Sequence, residues 1–131
     1  MNITDQFIDG LYDLSRQEYP EELKQHAKKC LLDYLGVTVA GAKEYMKVED
    51  TFMKSKIAEG DLATVIGRGE KTSVENAALV NGISSHAVEL DDGHRVGMIH
   101  LGAPIISALL AVAEAENLGL QDLLGGYFSW L

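Results

Sequence analysis

The sequence predicts an all-α domain, and three observations carry that prediction. Apolar residues recur at helical spacing through most of the chain. The two prolines, Pro20 and Pro104, sit where helices can begin. Only Leu62 to Ile66 (LATVI) is short and β-branched enough to read as extended, and one short strand does not make a sheet. The 131 residues suffice for a single helical domain with a real core, spanning residues 1–131.

Taken in order, residues 4–15 place Phe7, Ile8, Leu11 and Leu14 on one helical face. Pro20-Glu21-Glu22 opens a second helix, with its acids at the positive end of the dipole. Leu23, Ala27, Leu31, Leu35 and Val39 recur every four residues, and Gly41 is placed to stop that helix. A third helix is expected over 44–59, with Tyr45, Val48, Phe52 and Ile57 on one side and Gly60 at its end. Gly67-Arg68-Gly69 turns the chain. The surrounding GRGEK lacks the spacing of a phosphate loop and reads as a plain turn.

Thr72-Ser73-Val74-Glu75 matches a capping box, and a helix rich in small residues follows to about Val88. Asn81 in that apolar helix is expected to hydrogen-bond a neighbouring helix or loop end, because a buried amide must be satisfied. Residues 91–100 break the periodicity and read as a loop. Pro104 to Asn117 form the next helix, closed by Gly119. Leu120 to Leu131 start another, interrupted by Gly125-Gly126 and ending on the apolar YFSWL. That apolar end suggests docking onto something, or a chain that has lost its continuation.

Composition removes several function classes. Apolar residues make up 47% of the chain and charged residues 24%, which excludes whole-chain disorder. The formal net charge of −9 argues against a nucleic-acid surface and against an anionic membrane surface. A small anionic ligand stays possible, because a few local cations can dominate one pocket. Cys30 is alone in an apolar run and reads as a buried structural thiol. His26 lies on the charged side of its helix and reads as solvated. The N-terminus has no signal-peptide pattern and no apolar run approaches the ~18–20 residues of a membrane span. A cytoplasmic protein is the expectation.

The densest group of titratable residues is VELDDGHRVGMIH, Val88 to His100, set between two segments that favour burial. If the preceding helix ends near Leu90, His86 and Glu89 lie one turn apart on one face. Asp91 and Asp92 then fall at the helix C-terminus, where negative charge is unfavourable. Crowded carboxylates beside histidines suit proton exchange near neutrality. Gly93 and Gly97 let a ligand approach the backbone, and Arg95 with His94 and His100 offers cationic contacts to a substrate carboxylate. Three readings stand side by side: a solvated loop, a metal site drawn from His86, Asp91, Asp92, His94 and His100, and an acid–base site. The spacing matches no established zinc or calcium pattern.

The order of motifs resembles the N-terminal part of the MmgE/PrpD family, which includes 2-methylcitrate dehydratase, cis-aconitate decarboxylase and iminodisuccinate epimerase. The matching pieces are LLDYLGVTVAG (Leu31 to Gly41), ATVIGRGEKTSVENAALVNG (Ala63 to Gly82), HAVELDDGHR (His86 to Arg95), His100, and APIISALLAVAEAENLGLQDLLGGY (Ala103 to Tyr127). They cover most of residues 25–127, and NG followed by H-x-x-[DE]-x-DD is the most specific of them.

The resemblance implies a helical domain followed by an α+β domain, with the active site between them. It also implies small polycarboxylate substrates, no cofactor and no metal in most members, and dimerisation through the helical domain. The shared chemistry is proton removal or delivery at carbon next to a carboxylate, ending in dehydration, decarboxylation or epimerisation. Carried over by position, His100 takes a proton-transfer or substrate-carboxylate role, and Glu89 and Asp91 orient it and the substrate. Asp92, His94 and Arg95 are assigned to substrate binding, with Asp92 alternatively capping the loop.

The sequence also departs from the family. Gly93-His94 follows the acidic pair where many members carry Thr, Leu101 rather than Pro follows His100, and Gly126-Tyr127-Phe128 replaces GYE. Members are several times longer. A chain of this length is therefore expected to hold at most half of an active site. It would then be inactive alone, or alternatively a non-catalytic relic or helical dimerisation module.

Overall fold

The computed structural model describes residues 2–47, 51–57 and 60–129, without the side chains of 45–47 and 53. Among them the elements run α1 (Ile3–Ser15), α2 (Glu21–Lys47), α3 (Thr51–Ile57), β1 (Ala63–Val65), β2 (Glu70–Thr72), α4 (Val74–His86), α5 (Gly102–Ala115) and α6 (Leu120–Phe128). The predicted helical architecture is present, with one small departure. LATVI does find a partner: β1 pairs antiparallel with β2 in the register Ala63↔Thr72, Thr64↔Lys71 and Val65↔Glu70. The strand GEKT was illegible because two of its residues are exposed and charged. It is held by pairing and not by its own apolarity.

Helix α4 lies at the centre, packed against α2 on one side and α5 on the other. Its small residues allow this. Gly41 of α2 meets α4 so closely that a Cβ there would run into the Ser84 carbonyl oxygen. Gly41 therefore does not stop α2, which continues to Lys47. The expected third helix at 44–59 is correspondingly shorter. Val48, the side chain of Tyr45, and Trp130 and Leu131 of the apolar end lie outside the described residues.

The Gly125-Gly126 pair likewise does not interrupt α6. Gly125 sits against the Ser15 carbonyl and Gly126 against Leu109, so both positions serve close packing of α6 on α1 and α5.

Capping also differs by one residue from the expected box. Ser73, not Thr72, is the N-cap of α4, and its hydroxyl accepts from Asn76 N at 3.3 Å. Thr72 is buried in β2, where its hydroxyl donates to the Lys56 carbonyl at 2.5 Å. Pro104 stands two residues inside α5, which begins at Gly102.

The core joins Ala27 and Tyr34 of α2, Ile106 of α5, and Leu124, Tyr127 and Phe128 of α6. The phenol of Tyr34 lies 2.6 Å from the Ser107 hydroxyl, whose own proton goes to the Ala103 carbonyl, so Tyr34 is the donor. Burial pushes the Tyr34 phenol up, against the lowering effect of Ser107 and Thr38. Cys30 is half-buried on the edge of this core, less enclosed than expected. His26 is exposed, as its position predicts.

Asn81 behaves as a buried amide must. Its oxygen accepts from Ile66 N and its nitrogen donates to the Thr64 carbonyl, both at 2.9 Å, which fastens the hairpin to α4. Glu114 of α5 grips the same strand, accepting from the Thr64 amide at 2.6 Å and its hydroxyl at 2.7 Å, with Lys71 Nζ at 3.0 Å. Desolvation pushes the Glu114 carboxyl up, but these donors together outweigh it and hold the group below the usual carboxylate range. No helix among the described residues is long and apolar enough to cross a membrane.

Candidate functional site

The site grows out of the C-terminus of α4. The helix ends at His86, and Glu89 adopts a left-handed backbone with φ of 54°, which turns the chain away from the helix axis. His86 Nε2 still comes within 3.5 Å of Glu89 Oε1, so the expected one-turn pairing exists without helix through Leu90.

Two turns of chain later, His94 and Ile99 form an isolated antiparallel bridge that brings His100 back toward α4. The result is a group of three. The Asp91 carboxylate accepts from His86 Nδ1 at 2.9 and 3.0 Å, and its Oδ2 lies 3.4 Å from His100 Nδ1. The two imidazole rings stand 5.1 Å apart, edge to face. The Asp91 side chain is 3% exposed while both rings are 47% exposed. A buried carboxylate is thus clasped by two imidazoles whose outer edges face solvent.

This arrangement answers the problem of two acids at a helix C-terminus. They point to different partners. Asp91 meets the two histidines, whereas Asp92 Oδ1 accepts from Gly102 N at 3.0 Å and so caps the positive end of α5. The sequence offers Asp92 for substrate binding or for capping the loop; in the structure its carboxylate meets the first turn of α5. The Asp91 hydrogen bond, then the charges of Asp91 and Glu89, raise the His86 pKa above its ordinary value of 6.5 despite some opposing desolvation. His86 enters the sequence reading only as a neighbour of Glu89 and a possible metal ligand, with no role in the acid–base site. Its position three before Glu89 and five before Asp91 was the available signal.

His86, Glu89 and His100 line an open concavity of about 800 Å³, whose floor is apolar and built by Leu79 and Ile83 of α4 with Ala103 and Pro104 of α5. Asp91 and Asp92 line a smaller cavity of about 230 Å³ on the other side, with Cys30 and Tyr127. Burial first, then Cys30 and the Asp92 charge, push the Tyr127 phenol far up, so it stays protonated. His94 and Arg95 are exposed and do not line the larger concavity. His94 Nδ1 instead accepts from Gly97 N at 2.8 Å, within its own turn. Gly93 lies beside His100, where a Cβ would stand 3.5 Å from ring Cε1, so a side chain here would cover one edge of the imidazole.

Comparison with known proteins bears on the family. A cis-aconitate decarboxylase-like protein of Aspergillus oryzae is 27% identical over 118 residues, covering 90% of this chain and 24% of that protein. A cis-aconitate decarboxylase of Aspergillus terreus is 25% identical over 117 residues, covering 86% of this chain and 23% of its own length. The chain thus spans about a quarter of the length of these curated relatives. No solved structure matches. The pattern of the MmgE/PrpD N-terminal domain matches residues 5–128, almost the whole sequence, and the chain belongs to the MmgE/PrpD family.

Proposed function

We propose that this domain supplies one wall of the active site of a cofactor-independent lyase or isomerase acting on a small polycarboxylate. The observation that carries the reading is the buried Asp91 carboxylate shared by two half-exposed histidines at the rim of an 800 Å³ concavity. Asp91 favours a proton on the facing Nδ1 of His100. The other ring nitrogen, Nε2, is then the base that takes a proton from carbon next to a substrate carboxylate, or returns one to it. Glu89 orients this end of the site, and the Asp91 hydrogen bond and charge favour the cationic form of His86, which suits an anionic substrate. Arg95, His94 and Asp92 stand further along the same loop. Arg95, exposed on that loop, is the cation assigned to a distal carboxylate when a second wall closes the cleft.

The isolated domain is expected to be catalytically silent. Both histidine rings are 47% exposed, so water competes for every polar contact a substrate would make. A chain of net charge −9 also holds a polycarboxylate weakly through one open wall. Dehydration, decarboxylation and epimerisation all fit a proton transfer of this kind. The two curated relatives are named for cis-aconitate decarboxylation, which makes cis-aconitate the first substrate to try.

The test is reconstitution. The chain is expressed with whatever reading frame lies directly downstream in its genome and supplies a second domain. The pair is then assayed on cis-aconitate, 2-methylcitrate and iminodisuccinate. The reading expects turnover by the pair, none by the chain alone, and loss of turnover in His100→Ala. Clear turnover by the chain alone contradicts the half-site account, and full activity of His100→Ala in the pair contradicts the proton-transfer assignment.

A second reading, a helical self-association module, draws on α1. This helix leaves Ile3, Ile8 and Tyr12 more than half exposed. A homodimer is the partner it favours, and sedimentation at micromolar concentration distinguishes dimer from monomer.

A further inference from the structure

We propose that His86, Asp91 and His100 form a binding site for a divalent transition-metal ion of the zinc class, with Glu89 in its outer shell. The ion acts there as a competitor of the proton and not as a cofactor.

One donor atom from each of the three residues lies within 4.8 Å of the other two. His86 Nδ1 is 2.9 Å from Asp91 Oδ1, and His100 Nδ1 is 3.4 Å from Asp91 Oδ2. Zinc bonds of about 2.0–2.1 Å to nitrogen and oxygen put neighbouring donors of a tetrahedron roughly 3.3 Å apart. Taken to the single oxygen Oδ2, the His86 and His100 separations of 3.0 and 3.4 Å bracket that spacing, and with all three donors within 4.8 Å of one another the rings close onto an ion by rotation.

The setting favours a cation for further reasons. The anionic donor is the buried, fixed member, and the two neutral donors are half exposed, which leaves a path for the ion from solvent. Glu89 Oε1 stands 3.5 Å from the remaining nitrogen of His86, the outer-shell place that a carboxylate commonly takes behind a metal-binding histidine. Two nitrogens and one oxygen suit zinc, cobalt(II) or nickel(II) and leave coordination positions open toward the concavity. His94 is outside the group of three, and its Nδ1 accepts from the Gly97 amide.

Binding exchanges the proton that His86 shares with Asp91 for the ion, and that proton passes to solvent. The groups facing His86 are Asp91, Glu89 and His100. The ion also removes the His100 tautomer on which the lyase reading rests, so it would inhibit the completed enzyme. Metal binding itself is independent of that reading.

The test is titration of the metal-free chain with zinc chloride by calorimetry, and with cobalt(II) by visible absorption. One ion per chain is expected. His86→Ala, Asp91→Asn and His100→Ala should each weaken binding by at least about tenfold, and Glu89→Gln by about tenfold or less. His26→Ala, on the exposed side of α2, should leave it unchanged. Affinity should fall as pH drops from 8 to 6. Imidazole resonances of His86 and His100 in the unsubstituted chain give a readout free of any folding defect, and both should shift on saturation. Absence of saturable binding, or binding that His86→Ala and His100→Ala both leave intact, overturns the proposal. Loss of enzyme activity without metal binding would speak only to the lyase reading.

Discussion

Two polar networks meet α4, one near its middle and one at its C-terminus, and they are built on opposite terms. Near its middle, the buried Asn81 spends both ends of its amide on Ile66 and Thr64 of the hairpin, with Glu114 of α5 and the half-exposed Lys71 adding bonds at its edge. At its C-terminus, Asp91 is equally enclosed, but its partners are two histidines with their outer ring edges in water. The first network fixes a strand against two helices. The second gathers two imidazoles around one carboxylate and leaves them reachable. Burial of a polar group thus marks structure in one place and a candidate site in the other. The difference lies in whether its partners are themselves satisfied.

The contrast can be broken most severely at the seam that supports both networks. Gly41→Val would force a side chain into the Ser84 carbonyl, between α2 and α4. A loss of about 3 kcal/mol and a fall of roughly 10 °C or more in Tm are expected in thermal denaturation. Asn81→Leu should cost about 2–3 kcal/mol, because the Ile66 amide and Thr64 carbonyl lose their partner inside the fold. An unchanged denaturation midpoint would show that the hairpin does not depend on that amide.

Glu114→Gln sharpens the comparison with a smaller effect. It should cost about 1 kcal/mol at neutral pH, by weakening charge-assisted bonds from Thr64 and Lys71. The Glu114 pKa is lowered on folding, so its stabilisation is present above the unfolded value of 4.5 and is lost as pH falls through the folded value. Urea denaturation at pH 7 and pH 3 should therefore show a smaller difference between Glu114→Gln and the parent at the lower pH.

Much of this arrangement was legible from the residue pattern. The helices, the role of Asn81 and the density of acids and histidines between Val88 and His100 all follow from spacing and residue type. Three features did not. Gly41 and Gly125 look like helix ends in one dimension, because nothing local says that a carbonyl from another helix will occupy the missing Cβ position. Thr72 and Ser73 are equally good caps until the pairing of β2 takes Thr72 into the sheet. Spacing pairs His86 with Glu89, but only the return of the chain at the His94–Ile99 bridge sets His100 beside it. Each is a tertiary contact overriding a local signal.

The smallest expected effect on stability belongs to the histidine network, and it has the opposite sign with pH. The His86 pKa is raised on folding, so its stabilisation is present below 6.5 and is lost as pH rises through the folded value. Stability of the parent relative to His86→Gln should accordingly be greater at pH 6 than at pH 8.

The most direct test of the shared carboxylate is an NMR titration of the His86 and His100 imidazoles in the parent and in Asp91→Asn, with His26 as internal reference. The account predicts a His86 midpoint above 6.5 in the parent that falls when the Asp91 charge is removed, while His26 stays where it was. A His86 midpoint that is unmoved in a folded Asp91→Asn chain would contradict it.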